Sequence, residues 1–100
     1  MNINVKHSEQ EVSIYLIGSF DATVGKDIRD TFNGLLIDGF KNFAVYMEKV
    51  DFIDSSGLGI LVGFYKKVKS SQGDLTLFDL SDNVLKLFQL TQLDQVFDLA

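Results

Sequence analysis

The chain has 100 residues, close to the commonest size of a single domain, and at that length folding hides enough surface for one hydrophobic core. Its 46% hydrophobic and 23% charged residues describe a folded domain rather than a disordered one. Nine Lys plus Arg against fourteen Asp plus Glu, a net charge of −5, argue against a phosphate-backbone binder, so no nucleic-acid partner is expected.

There is no cysteine, which removes disulfides, thiol nucleophiles and thiolate metal sites and suits a cytoplasmic protein. No apolar run follows Lys6, so no signal peptide is expected. No stretch approaches the roughly 18 to 20 apolar residues of a membrane span, so no membrane insertion is expected either. Proline is absent, and no linker, repeat or low-complexity segment divides the chain. A single domain over residues 1–100 is the expectation.

Ile3 and Val5 alternate with polar neighbours and give a weak strand signal. After a hairpin connection at His7 to Gln10, the alternation of Val12, Ile14 and Leu16 with Ser13, Tyr15 and Ile17 predicts a two-faced second strand. Beyond Gly18 the period changes. Ile28, Phe32, Leu35 and Leu36 predict a helix from about Val24 to Asp38, with Gly39 as its stop.

Phe43 to Met47 is a nearly continuous apolar run, as in a strand buried on both faces. A second helix is predicted from about Ser56 to Ser70, with Leu58, Leu61, Tyr65 and Val68 inward and Lys66, Lys67 and Lys69 solvated. Gly73 closes it. Leu75 to Phe78 reads as a strand, and Ser81 N-caps a short helix carrying Val84, Leu87 and Phe88. The tail from Leu93 to Leu99 is apolar enough to dock as a short strand or a helical turn. The order is β-β-α-β-α-β-α plus a C-terminal tail, which predicts an α/β fold with a mixed sheet and helices mainly on one side.

The segment between the buried strand and the second helix, Val50-Asp51-Phe52-Ile53-Asp54-Ser55-Ser56-Gly57-Leu58-Gly59, has the most chemistry in it. Sites in open α/β sheets form where strands end and helices begin, and a helix N-terminus accepts a phosphate on its unpaired N–H groups. Ser55 or Ser56 would therefore tolerate phosphorylation, and the added charge of roughly −1.5 to −2 would abolish a tight interface there. Gly57 and Gly59 would leave backbone uncovered for another protein to approach. The plainer reading is an ordinary helix cap. Gly59 and Gly63, four apart, are read as allowing close helix–sheet packing.

The run Asp54-Ser55-Ser56-Gly57-Leu58-Gly59, preceded by Val50-Asp51-Phe52-Ile53, closely resembles the signature of the anti-sigma factor antagonists, the bacterial STAS domains. Gly18-Ser19-Phe20-Asp21, Gly73-Asp74-Leu75-Thr76-Leu77 and Val84 to Phe88 with Leu93 extend the likeness over nearly the whole chain. The resemblance implies that Ser55 is phosphorylated by a partner anti-sigma factor, an ATP-dependent serine kinase. It also implies that the unphosphorylated domain binds this kinase so that a sigma factor is released, and that a PP2C-type phosphatase resets the switch. The implied partner-binding residues are Asp21, Thr23, Asp54, Ser56, Gly57 and Leu58, with Ser56 as the helix cap. Ser19, Val24 and Tyr46 depart from the common family pattern around this region.

Other chemistry finds little support in the residues. His7 is the single histidine, so neither a metal centre nor a Ser-His-Asp triad is expected. No catalytic residue and no cofactor are expected. Asp51 and Asp54 could form an acidic pair of the response-regulator kind, but no acidic pair follows the first strand and no lysine closes a late one. An alternative within the same fold is a non-phosphorylated STAS subunit of a multiprotein assembly such as a lipid-transport complex. Phe20, Phe64 and Phe97 are candidates for exposed interface aromatics.

Overall fold

Val12, Ile14 and Leu16, alternate residues of one strand, are each almost wholly buried, and the rest of the chain is laid on the face they define. The computed structural model describes residues 1–100. Strands β1 (Asn2–His7) and β2 (Glu11–Phe20) are followed by α1 (Gly25–Ile37), β3 (Asn42–Ile53), α2 (Ser55–Ser70), β4 (Asp74–Phe78) and α3 (Asp82–Leu90). A 3-10 turn (Leu93–Gln95) and a two-residue strand, β5 (Asp98–Leu99), complete the chain. The sheet order is β1-β2-β3-β4-β5, antiparallel between β1 and β2 and parallel elsewhere. The predicted mixed sheet and element order hold. The tail supplies both the turn and an edge strand, with the Ala100 N–H donating to the Leu77 carbonyl at 2.9 Å.

Ile28 and Phe32 of α1, five residues of α2, and Val84 and Phe88 of α3 join the inward faces of β2, β3 and β4 in one buried cluster. Phe64 lies at its centre, stacked on Phe32 at 4.1 Å and edge-on to Phe43 at 4.9 Å. Phe20, Phe64 and Phe97 are thus core residues, not the exposed aromatics expected of them. Phe20 turns inward at the end of β2, and Phe97 packs on Tyr65 and Phe88. The phenylalanine that does face solvent is Phe52, 52% exposed.

The other face of the sheet carries a ladder of rings. Tyr46 stacks between Tyr15 at 4.7 Å and Phe78 at 4.9 Å, with the Lys6 ammonium over Tyr15. Tyr46 is half-buried, so β3 is shielded on this side by its neighbours in the sheet, not by a second helical layer as a doubly buried strand would be.

β3 runs six residues beyond the Phe43–Met47 run that its apolar pattern suggested. Against β2, its register shifts between the pairs Tyr15↔Tyr46 and Ile17↔Lys49, and again between Gly18↔Val50 and Ser19↔Phe52. Each shift places one extra residue in β3, a bulge. Met47, Val50 and Ile53 consequently all point inward at a spacing of three, which no regular strand allows. α1 ends as predicted: Gly39 has φ +94°, its N–H donates to Leu36, and the Phe40 N–H donates to Leu35.

Candidate functional site

The end of β2 and the end of β3 meet at the start of α2. The Asp54 N–H donates to the Phe20 carbonyl at 3.2 Å, tying the residue before α2 to the residue before Asp21. Asp54 is extended, and its carboxylate accepts the Gly57 N–H at 2.9 Å, while the Leu58 N–H donates to the Asp54 carbonyl at 3.0 Å. Asp54 is therefore the N-cap of α2. Ser56, expected as the cap, is the second residue of the helix and is exposed; Asp54, whose backbone is extended just before the helix, holds the capping geometry instead.

Ser55 is the first residue of α2 and is exposed. Its N–H and that of Ser56 belong to the helix-start donors that have no intrahelical acceptor, and they carry the positive end of the helix dipole. The Ser55 hydroxyl can be reached from solvent while its backbone is fixed on both sides by the Asp54 cap.

Gly57 does not leave backbone open to a partner. A Cβ there would lie 2.7 Å from the Phe20 carbonyl oxygen, 2.8 Å from Ile53 Cγ1 and 2.9 Å from Phe20 Cδ1. Gly57 is what lets α2 start against the end of β2. Leu58 likewise turns inward at 8% exposure and belongs to the core. At Gly59 and Gly63 an added Cβ would meet nothing within 4 Å, so they serve no close helix–sheet packing. The tight approach to the sheet falls at Gly57 instead.

Asp21 and Thr23 form the adjoining wall. Asp21 Oδ1 accepts both the Thr23 hydroxyl and the Thr23 N–H, the latter at 2.9 Å, and the Val24 N–H donates to the Asp21 carbonyl. The Thr23 hydroxyl, and then its backbone N–H, hold the Asp21 carboxyl below its ordinary pKa. On β3, the Ser19 hydroxyl donates to Asp51 Oδ1 at 3.1 Å. Asp51 and Asp54 thus have separate jobs, one bonded to Ser19 and one capping α2, and do not act as an acidic pair. Ser81, the predicted cap of α3, accepts the Val84 N–H and donates to the Val50 carbonyl, both at 3.4 Å, so α3 is fastened to the bulged part of β3.

His7 sits far along the chain from these residues, with its ring 5.1 Å from that of Phe40. No group of three or more His, Asp or Glu is arranged to hold a metal ion. No helix is long and apolar enough to cross a membrane. Phe52 is the exposed neighbour of this site that the sequence does not single out. It precedes the inward Ile53 and so faces solvent two residues before the cap, and hydrophobicity alone gives no sign of which face an aromatic in a strand takes.

The STAS domain family model matches residues 2–100. An anti-sigma-B factor antagonist of Bacillus subtilis (strain 168) is 30% identical over 100 residues, covering 100% of this chain and 91% of that protein. Among solved structures, an anti-sigma factor antagonist from Mycobacterium paratuberculosis superposes with a TM-score of 0.87 at 20% identity, covering 98% of this chain and 83% of the other. The Bacillus cell fate determinant SpoIIAA in its phosphorylated form gives a TM-score of 0.79 at 24% identity, covering 99% of this chain and 91% of that one. With its whole length matched and its fold shared, the chain belongs to the STAS domain family.

Proposed function

We propose that the chain is an anti-sigma factor antagonist whose switch is Ser55. Unphosphorylated, the face formed by Ser55, Ser56, Asp21 and Thr23 binds an anti-sigma factor that is itself a serine kinase, and a sigma factor is released. The kinase transfers the γ-phosphoryl group of ATP to Ser55 Oγ: the new O–P bond forms as ADP leaves, and the hydroxyl proton passes to a base on the kinase. A PP2C-type phosphatase then hydrolyses the ester. The cycle is set in the cytoplasm.

One observation supports this above the others. Ser55 is exposed at the first position of α2, directly after a cap that fixes the helix start without using the serine. A phosphate on Ser55 meets the positive helix end, so the domain keeps its fold while the surface chemistry inverts. The carboxylates of Asp21, Asp51 and Asp54 already stand on the neighbouring strand ends, and about two more negative charges make that surface strongly repulsive to a partner fitted to the neutral hydroxyl. Gly57 and Leu58 contribute by setting the backbone, not by touching the partner.

The test is incubation with ATP and each serine-kinase anti-sigma factor of the source genome, followed by phosphopeptide mass spectrometry. Hydroxylamine-resistant phosphate on Ser55, absent in Ser55→Ala, is the expected result. Ser55→Ala should stay bound to its kinase, whereas Ser55→Asp should bind weakly. Modification at Ser56, hydroxylamine-labile phosphate, or equal kinase affinity of all three forms would refute the reading. Co-purification with a transporter ATPase in place of a kinase would point to the structural-subunit alternative.

A further inference from the structure

Between the outer surfaces of α1 and α2 runs an open groove of about 510 Å³. Phe32, Ile60 and Phe64 line its floor, Gly59 and Gly63 one wall, and Lys26, Arg29 and Lys67 its rim. No Asp or Glu lines it, although acids outnumber bases fourteen to nine in the whole chain. Lys67 Nζ donates to Asn33 Oδ1 at 2.9 Å, Lys26 Nζ reaches the exposed Asp30 at 3.1 Å, and Arg29 has neither a hydrogen-bond nor an ion-pair partner in the chain. Ser56 belongs to the same lining, so the groove opens at the first turn of α2, one residue from Ser55.

We propose that this groove receives an acidic helix of the kinase partner, a reading that rests on the antagonist function proposed above. Charge identifies the occupant: a guanidinium without a partner, flanked by two lysines in a groove that no carboxylate lines, fits a helix carrying Asp or Glu along one face. The glycines fit the same occupant. Each makes the helix less stable than alanine would, and neither is needed for contacts inside the chain, since an added Cβ meets nothing within 4 Å. What they provide is a smooth wall along which a second helix can lie close.

The dimensions agree. From Ser56 to Lys67 α2 rises about 16 Å at ~1.5 Å per residue, room for three turns of a docked helix. That helix would end at Ser55. Phosphate there would place about two negative charges at the mouth of a groove already occupied by carboxylates, and the helix would be expelled.

The experiment uses the full chain and, as probe, the full-length kinase of the same genome that phosphorylates Ser55. Affinities are measured by calorimetry for wild type, Gly63→Leu, Arg29→Glu and a control, Lys66→Glu, whose side chain lies outside the groove. Gly63→Leu fills the groove and Arg29→Glu reverses its charge; both should melt no lower than a few degrees below wild type and weaken binding at least tenfold. Lys66→Glu should bind like wild type. The salt dependence of binding should be shallower for Arg29→Glu than for wild type. Wild-type affinity in both groove variants, with Ser55→Asp still impaired, would overturn the groove while leaving the switch standing. Shifts of the Arg29 and Lys67 resonances with inorganic phosphate or ATP, with kinase affinity unchanged in the variants, would make it a small-anion site and overturn the proposal as well. If no kinase binds wild type, both readings fall.

Discussion

Three glycines of α2, at positions 57, 59 and 63, should respond to alanine in opposite directions. At Gly57 the new Cβ would stand 2.7–2.9 Å from the Phe20 carbonyl oxygen, Ile53 Cγ1 and Phe20 Cδ1, well inside normal contact. The nearest obstacle is backbone, so relief requires the end of β2 to move away from α2. Overpacking of this kind costs about 1–3 kcal/mol, and the better helix propensity of alanine returns less than ~1 kcal/mol. Gly57→Ala should therefore be destabilised by about 1–2 kcal/mol. At Gly59 and Gly63 there is nothing to clash with, so each alanine should stabilise by roughly 0.5–1 kcal/mol. For a domain of this size ~1 kcal/mol moves Tm by about 4–8 °C, so calorimetry separates the two classes. A Gly63→Ala protein that melts below wild type would refute the open wall of the groove, and an unchanged Tm in Gly57→Ala would refute the tight seat of α2 against Phe20.

The remaining expectations are smaller but equally specific. Asp54→Ala removes the acceptor of the Gly57 N–H and should cost about 1 kcal/mol by denaturant midpoint; Asp54→Asn should cost less, because the amide oxygen keeps the bond. Thr23→Val should raise the Asp21 carboxyl back toward its ordinary 3.8, read by carboxyl-carbon NMR, since the Thr23 hydroxyl is the main cause of its lowering. The sign follows from that lowering: the Thr23 contribution is present above pH 3.8 and is lost as pH falls through the lower folded value, so the wild-type advantage over Thr23→Val should vanish in strong acid. Phe20→Ala should cost about 3–5 kcal/mol, because a wholly buried ring joins the end of β2 to the core; a loss under ~1 kcal/mol would contradict that burial.

The sequence made regular elements readable and concealed the irregular one. Alternation in Val12 to Ile17, the helical spacing of Ile28 and Phe32, the stop at Gly39 and the cap at Ser81 each follow from one local rule, and the structure obeys all four. The second half of β3 follows no local rule. Its inward residues, Met47, Val50 and Ile53, recur every third position because two bulges against β2 reset the phase, and bulges arise from pairing with a distant segment. The same limit applies to the site. Asp54, Ser55 and Gly57 were legible as a helix start, but whether a glycine faces solvent or the Phe20 carbonyl depends on β2, some 35 residues earlier. The phenylalanines are ambiguous in the sequence for the same reason: hydrophobicity alone does not distinguish the inward Phe20 from the outward Phe52.

The bulged half of β3 also changes how much of a strand is on show. A regular strand with one covered face presents every second side chain to solvent. From Glu48 to Ile53, only Val50 and Ile53 are buried, so Glu48, Lys49, Asp51 and Phe52 are all displayed, two residues in every three. This is a denser vocabulary for recognition than a sheet ordinarily permits, written directly beside Ser55. Because none of the four contributes to the core, their identities can be exchanged while Val50 and Ile53 keep the strand in place. Under the function proposed above, these four positions would let partner recognition vary while Ser55 and its cap stay unchanged.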